Sequence, residues 1–165
     1  AILRRHGIRN AIVNAGGDIN STGNAYGTQG GRAWRIGIRA PAGRGVIASL
    51  DLAEGENLYT SGNYERYREE DGIRYSHIID PRDGMPVRHI VSSSVIGANG
   101  ALADAAATAL SVAGPADWYR VAKKMGVKFV LLVDEAGTVY ANPAMAERLE
   151  FAEGQPKKLV LSPPL

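Results

Sequence analysis

The chain has 165 residues, no cysteine and a formal net charge of +2, and 45% of its residues are hydrophobic. That length and composition are typical of a globular domain with a core of its own, and the small charge does not indicate a nucleic-acid-binding protein. The absence of cysteine excludes disulfides and thiolate metal sites, and no apolar run approaches the roughly 18 to 20 residues that a membrane-spanning helix needs.

The first residues are typical of the end of a helix that passes into a strand. Leu3, Arg4 and Arg5 suit a last helical turn, and Gly7 suits its stop. Nothing before them starts a helix or resembles a signal peptide. We therefore expect a fragment whose N-terminal part has been removed, and the alternative is a disordered terminus outside the numbering.

Short apolar or alternating segments predict strands through the first hundred residues. These segments are 10–14, which we expect to be buried, and 34–39, 46–52, 73–79 and 90–97, whereas 57–64 is predicted to carry a Thr-Ser-Gly turn. Residues 69–72 predict a hairpin turn before the strand 73–79. Residues 80–84 predict a tight turn after it, in which Pro81 has a suitable backbone angle.

The first helix with a predicted start and end comes later in the chain. The sequence predicts one helix over 101–113, closed by Gly114 and Pro115, and a second over 116–125, closed by Gly126. A strand over 127–133, a turn and a return strand over 138–140 follow, and 152–165 is predicted as a frayed tail. Many strands with two consecutive helices predict a single α+β domain over 1–165, with a mostly antiparallel sheet and helices packed on one side.

The first candidate site lies in the alanine-rich segment 101–110. Asp104 and Thr108 are four residues apart, so both oxygens point the same way from one helix face. Such hard oxygen ligands suit magnesium or calcium. The structural alternative is an Asp that favours the helix dipole and a Thr that bonds a backbone carbonyl. Two oxygens cannot complete a site that needs about six, so spacing alone favours this alternative.

The second candidate is His77, in the segment that leads into the predicted turn. Strand alternation places His77 and Ile79 on one face and Ile78 on the other. His77 can act as an acid, a base or a metal ligand, and Asp80 is near enough in sequence to orient its ring. The structural alternative is a His packed in a sheet while Asp80 caps the turn.

Two further segments are weaker candidates for ligand binding. Gly16 and Gly17, before Asp18, allow the backbone to approach an anion, although no third glycine completes a dinucleotide fingerprint. Residues 60–62 place two hydroxyls beside a glycine, which suits a phosphate or the edge of a flavin. Taken alone, the glycine segment favours a bulged turn over an anion site, and the structural alternative for 60–62 is an ordinary Ser/Gly turn.

Taken in order, these motifs resemble the FAD:protein FMN transferase (ApbE-type) family. The matching segments are GGDI, WRIGI with a following proline, TSGNYERY, YSHIIDPRDGMPV and ADAAATAL. The resemblance runs from about Asn10 to about Phe151, and five motifs in a fixed order make it specific.

The resemblance implies a magnesium-dependent enzyme that takes FAD as its substrate. Members of this family transfer the FMN moiety through a phosphoester bond to a Thr hydroxyl on a target protein, such as a subunit of a membrane redox complex. The family is typically periplasmic and often lipid-anchored. Two alternatives stay open: a pyrophosphatase that releases FMN and AMP, and a non-catalytic flavin-binding fragment.

The resemblance also implies roles for individual residues. His77 matches the family's catalytic histidine, and Ile78 matches its flavin-contacting neighbour. Asp104 and Thr108 match metal ligands. The residues that match the FAD pocket are Thr60, Ser61, Gly62, His77, Ile78 and Asp18.

This sequence departs from the family pattern at three places. Asn63 stands where the family often has Asp, and Asp83 stands where it usually has Thr. The family's segment with an Ala-Lys-Gly motif is expected before Ala1, where it would supply a further metal ligand and contacts to FAD. The resemblance therefore implies that this chain holds only part of the site.

Overall fold

The computed structural model describes residues 2–25, 31–41, 45–63, 67–70 and 73–165. The helices are α1 (Ile2–Arg5), α2 (Gly100–Met125) and α3 (Pro143–Ala146). The strands are β1 (Ala11–Ala15), β2 (Asp18–Thr22), β3 (Trp34–Arg39), β4 (Val46–Leu52), β5 (Asn57–Gly62), β6 (Tyr67–Glu70), β7 (Ile73–Ser76), β8 (Ile90–Gly97), β9 (Phe129–Asp134), β10 (Thr138–Ala141), β11 (Glu150–Phe151) and β12 (Lys158–Leu161).

Among the described residues, the main sheet has seven strands in the order β1-β2-β5-β8-β9-β10-β12. Every neighbouring pair is antiparallel except β10 and β12, which run parallel. A three-stranded sheet, β11-β4-β3, and the hairpin β6-β7 complete the strand pairing. The prediction of an α+β fold with a mostly antiparallel sheet is confirmed.

The two faces of the main sheet pack against different layers. On β8, Val95 belongs to the apolar cluster beneath α2, whereas its neighbour Ile96 belongs to the cluster shared with β3 and β4. Successive side chains of a strand point to opposite faces, so β5 and β8 divide their residues between these two layers. Helix α2 contributes Ala103, Ala106 and Ala107 to the cluster between it and the sheet, and these small side chains allow the two layers to approach closely.

Helix α2 contains the two predicted helices joined at a kink. Asn99 caps its start by accepting a hydrogen bond from the Leu102 amide at 3.2 Å, and Gly126 ends it with a φ of 70°. Between them, Gly114 has φ 72° and ψ −177°, and Pro115 follows. The predicted break between two helices is therefore present at Gly114.

Some predictions of local structure were wrong. The segment 60–62 is the end of β5 and not a turn, and Asp18 begins a strand that the sequence analysis did not predict. The predicted first strand is present as β1, but most of it is exposed because, in the described part of the chain, it forms an outer edge of the sheet paired only with β2. Residues 71 and 72 of the predicted hairpin turn lie outside the described residues, although β6 and β7 pair on either side of them.

The predicted frayed tail was also wrong. Residues 158–161 form β12, which pairs with β10 from Thr138↔Lys158 to Ala141↔Leu161. The Ser162 amide donates to the Ala141 carbonyl at 3.0 Å, and the Tyr119 hydroxyl donates to the Pro164 carbonyl at 3.1 Å. The partner of this segment lies on a strand about twenty residues earlier, so no pattern within the tail itself indicates the pairing.

Candidate functional site

Asp104 and Thr108 lie on the exposed side of α2, whose opposite side packs on the sheet. Ala103, Ala106, Ala107 and Leu110 are at most 1% exposed, whereas Asp104 and Thr108 are both exposed. The four-residue spacing sets both oxygens on one side of the helix, as the sequence predicted.

Ser61 joins this helix to strand β5. Its hydroxyl lies 3.0 Å from the Thr108 hydroxyl, across 47 residues of sequence. Ser61 pairs with Ser93 across the sheet, on the face that α2 covers. Two of the predicted motifs therefore meet at one point, where three oxygen-bearing side chains lie on two adjacent elements.

Thr60 points to the opposite face of β5. Its hydroxyl lies 2.8 Å from the Ser94 hydroxyl, and it lines a cavity of about 190 Å³ together with Gly16, Gly17 and Arg39. The predicted TSG segment therefore serves two surfaces: Ser61 faces the α2 side, and Thr60 faces the cavity beside the glycine turn.

The glycine turn closes the hairpin between β1 and β2. Gly16 and Gly17 have φ values of 68° and 102°, which residues with a side chain rarely adopt. The Gly17 amide donates to the Asn14 side chain at 2.9 Å. Asp18 follows directly, half-buried and paired with Ala15. The turn thus forms one wall of the cavity through Gly16 and Gly17.

His77 follows β7 and is exposed. Next to it, Ile78 is 7% exposed, and the backbone of Ile78 bonds the Ser76 hydroxyl and the Val87 amide. Ile79 is 48% exposed. The predicted alternation is therefore correct, and the Ile78 side chain points into the protein while His77 and Ile79 face outward.

Asp80 binds Arg82. Its carboxylate accepts hydrogen bonds from the Arg82 amide at 2.9 Å, from Nε at 2.9 and 3.0 Å, and from Nη2 at 2.5 Å. The side-chain hydrogen bonds of Arg82, more than its charge, lower the pKa of Asp80 to about 2. These bonds support the turn-capping alternative for Asp80 and assign its carboxylate to Arg82.

Arg82 connects this turn to α2, a contact that the sequence analysis missed. Its Nη2 donates to the Val112 carbonyl at 2.9 Å, one helical turn after Thr108. Nearby, His89 Nε2 donates to the Ser111 carbonyl at 3.0 Å. A signal was present in the sequence: Pro115 has no amide hydrogen, so the Ser111 carbonyl loses its helical donor and needs another.

The oxygens at the junction of β5 and α2 suit a hard divalent cation. Asp104, Thr108 and Ser61 offer a carboxylate and two hydroxyls, the donor types that Mg²⁺ prefers over softer ligands. Within the described residues, no group of three or more His, Cys, Asp or Glu side chains is placed to hold a metal. The donor set is therefore compatible with Mg²⁺ and incomplete for a site of about six ligands.

Comparisons with known proteins identify the family. The profile of the ApbE family matches residues 1–131. A Rhodobacter capsulatus protein named FAD:protein FMN transferase is 52% identical over 154 residues, which are 93% of this chain and 29% of that protein. An Escherichia coli protein of the same name is 36% identical over 137 residues, covering 81% of this chain and 38% of that protein.

Solved structures agree with these matches. The ApbE protein of Thermotoga maritima superposes with a TM-score of 0.74 at 36% identity, over 84% of this chain and 44% of that one. The flavin transferase ApbE of Vibrio cholerae gives a TM-score of 0.71 at 32% identity, over 89% and 47%. The chain thus spans less than half of the relatives it matches. Because the family profile covers most of this sequence and the fold agrees with it, the chain belongs to the ApbE family.

Proposed function

We propose that this protein transfers the FMN moiety of FAD to a Thr hydroxyl of a target protein and that it depends on Mg²⁺. The observation that carries the proposal is the contact between Ser61 and Thr108, which joins two of the family's motifs at one point. Support comes from relatives that are named FAD:protein FMN transferase and share up to 52% of their aligned residues with this chain.

Asp104 and Thr108 are the residues that would hold Mg²⁺, and Ser61 would fix the Thr108 hydroxyl. The ion, when bound, offsets the negative charge of the FAD pyrophosphate. Ala101 and Ala105 are exposed and carry only methyl groups on the helix that bears these ligands, so they leave room for a bulky anion. Gly16 and Gly17 offer a backbone surface for another part of FAD at the cavity that Thr60 lines.

In this proposal His77 is the general base. The hydroxyl oxygen of the target Thr attacks the phosphorus on the FMN side of the pyrophosphate. A new oxygen–phosphorus bond forms, the bond to the bridging oxygen breaks, and AMP leaves with that oxygen. The hydroxyl proton passes to the His77 ring and then to solvent. Because His77 is exposed, a hydroxyl on another protein can reach it.

Water can replace the Thr hydroxyl in the same step, which would make the protein a pyrophosphatase releasing FMN and AMP. The exposure of His77 admits water as readily as a protein side chain. A flavin-binding protein without catalysis is the third possibility. One experiment separates all three.

The full-length gene product is incubated with FAD, MgCl₂ and a redox-subunit domain from the same genome that carries an acceptor Thr. We expect the target to give a fluorescent band on a denaturing gel. One molecule of AMP should be released for each target molecule that is labelled. A target with its acceptor Thr replaced by Val is the control and should stay dark. The variant His77→Asn should slow labelling by about 10²- to 10⁴-fold and leave FAD binding intact. The variant His6→Asn, at an exposed histidine near the start of the chain, should label the target at the wild-type rate.

The other outcomes contradict the proposal in different ways. Free FMN and AMP without a labelled target would make the protein a pyrophosphatase. Tight binding of intact FAD would make it a binding protein. Labelling at the wild-type rate by the His77 variant would remove His77 from the mechanism and leave transfer in place.

We also propose that the protein acts in the periplasm, attached to the inner membrane through a lipid anchor, on a subunit of a membrane redox complex. Only the family resemblance supports this location and these partners. In the described part of the chain, no helix combines the length and hydropathy needed to cross a bilayer. Fractionation of cells that express the full-length gene product, followed by detection in periplasmic, membrane and cytoplasmic fractions, tests the location.

A further inference from the structure

The kink in α2 leaves backbone carbonyls without their normal helical donors. Each helical carbonyl accepts from the amide four residues later, and for Ser111 that position is Pro115, which has no amide hydrogen. Gly114, with φ 72° and ψ −177°, moves the chain out of helical geometry at the same point. Carbonyls at such a break need partners from elsewhere in the protein.

The segment that follows His77 supplies these partners. Arg82 Nη2 donates to the Val112 carbonyl at 2.9 Å, and His89 Nε2 donates to the Ser111 carbonyl at 3.0 Å. The His89 ring lies so close to Gly114 that a Cβ there would be 2.7 Å from its Cδ2 atom. The kink and this segment therefore fit together over two hydrogen bonds and a ring contact.

Asp80 fixes the Arg82 guanidinium for this contact. The Asp80 side chain is 9% exposed and accepts from both Nε and Nη2, which holds the planar group in one orientation. The Arg82 side chain is 59% exposed, so the ion pair by itself adds little stability. Its role is better explained by geometry, because the same Nη2 reaches both the carboxylate and the helix.

The turn that follows His77 and contains Arg82 is closed by backbone hydrogen bonds. The Asp80 amide donates to the Met85 carbonyl, the Gly84 amide to the Asp80 carbonyl and the Val87 amide to the Ile78 carbonyl, each at 2.8 Å. Because these bonds hold the turn in one conformation, the position of Arg82 also fixes the position of the residues just before it. Thr108 lies one helical turn before Val112, whose carbonyl Arg82 binds. The turn that follows His77 is therefore attached to the same helix that bears Thr108.

We propose that Arg82 is a positioning residue, which sets the place of His77 relative to Asp104 and Thr108 by fastening the turn that follows His77 to the α2 kink. This inference rests on the proposed function, because it assumes that His77 and the α2 oxygens act on one substrate. It assigns Arg82 no contact with FAD. A displaced His77 would leave FAD binding intact and slow the chemical step.

The test compares Arg82→Met with Arg82→Lys in the full-length gene product, with FAD, MgCl₂ and the acceptor domain. We expect Arg82→Met to lower kcat by about 10- to 100-fold while KM for FAD changes less than about threefold, the pattern of a misplaced catalytic group. Arg82→Lys should recover part of the loss, because an ammonium group reaches one of the two partners but cannot form the fork. Arg35→Met, which removes an exposed arginine paired with Glu150 on the three-stranded sheet, should leave kcat unchanged.

A second measurement does not depend on activity. Hydrogen–deuterium exchange should become faster at the amides of Asp80, Gly84 and Val87 in Arg82→Met and stay slow in Arg35→Met. A wild-type protein that does not transfer FMN from FAD to the target would refute the proposed function, and the exchange result would still report on the contact between Arg82 and α2. Unchanged exchange, a wild-type kcat in Arg82→Met, or equal losses in both Arg82 variants with lowered thermal stability would overturn the positioning role.

Discussion

Asp104 lies on α2 with its side chain in solvent, while the alanines of the same helix turn pack against the sheet. A carboxylate in that position adds nothing to the core. The helix dipole acts most strongly within the first turn, and Asp104 lies beyond that turn. Its exposure leaves the carboxylate accessible to a cation from solution, which we propose to be Mg²⁺.

We predict that Asp104→Ala abolishes the Mg²⁺ dependence of FAD turnover together with the activity, and leaves the fold intact. Exposed substitutions of this kind change the free energy of unfolding by no more than about 0.5 kcal/mol. The measurement is turnover against Mg²⁺ concentration, with thermal unfolding in parallel. Glu135→Ala, which removes an exposed carboxylate from the turn after β9, is the control. Wild-type Mg²⁺ activation in the Asp104 variant would refute its role as a ligand.

Asp80 predicts a specific dependence of stability on pH. Its pKa falls from 3.8 to about 2 in the folded protein, because Arg82 donates hydrogen bonds to the ionised form. A lowered carboxyl pKa stabilises the fold above the unfolded value, and this stabilisation disappears as pH falls through the folded value. The Asp80 contribution should therefore be complete above about pH 4 and lost near pH 2.

We expect Asp80→Asn to melt at a lower temperature than wild type at pH 6, with a difference that shrinks between about pH 4 and pH 2. Thermal melts at half-unit pH steps measure this, with Asp83→Asn from the same turn run alongside. A difference that stays constant down to pH 2 would show that the Asp80 carboxylate is not ionised in this contact.

At the scale of the element, the kink of α2 depends on Gly114. Its backbone angles lie in a region that is essentially restricted to glycine, and a side chain would also meet the His89 ring. Gly126, at the end of the same helix, has φ 70° and open space around it. Gly126 thus reports the cost of an αL backbone in open space, whereas Gly114 combines a glycine-only backbone region with a steric contact.

We predict that Gly114→Ala lowers the free energy of unfolding by about 2 kcal/mol or more, and that Gly126→Ala costs about 1 kcal/mol. Urea unfolding of both variants measures the difference. Because His89 and Arg82 bind carbonyls beside Gly114, the first variant should also loosen the turn that follows His77. Equal costs at both positions would contradict the extra cost expected from the glycine-only backbone region and the His89 contact at Gly114.

Across the whole molecule, the last strand ties distant parts of the chain together. β12 adds to the edge of the main sheet beside β10, and Tyr119 on α2 bonds the Pro164 carbonyl beyond it. Another long-range contact joins Arg148 to Glu56, 92 residues apart, at 2.6 Å. These contacts make the end of the described chain part of the fold.

We expect the amides of 158–161 to exchange slowly, and Tyr119→Phe to speed exchange in 158–165. The variant should lower the free energy of unfolding by about 1 kcal/mol, the usual contribution of one hydrogen bond. Hydrogen–deuterium exchange with urea unfolding measures both quantities. Tyr75→Phe, which keeps the ring that Arg88 stacks on, is the control. Fast exchange over 158–161 in the wild type would restore the prediction of a frayed tail.

The sequence by itself determined the features that depend on neighbouring residues. Asn99, Gly114, Pro115 and Gly126 mark the ends and the break of α2, because caps and breaks depend on residues within a turn of each other. Alternation placed His77 and Ile79 outward and Ile78 inward. The order of the motifs identified the family that the profile and the solved structures then confirmed.

Only the tertiary structure decided which of these features meet. Ser61 contacts Thr108 across 47 residues, and Arg82 reaches Val112 across 30. The tertiary structure also shows that the predicted Thr-Ser-Gly turn is the end of β5, so Thr60 and Ser61 face different layers. No local pattern specifies such partners, because strand order and helix docking are settled by the packing of the whole core. The residue types of the site are therefore read from the sequence, and their juxtaposition follows from the fold.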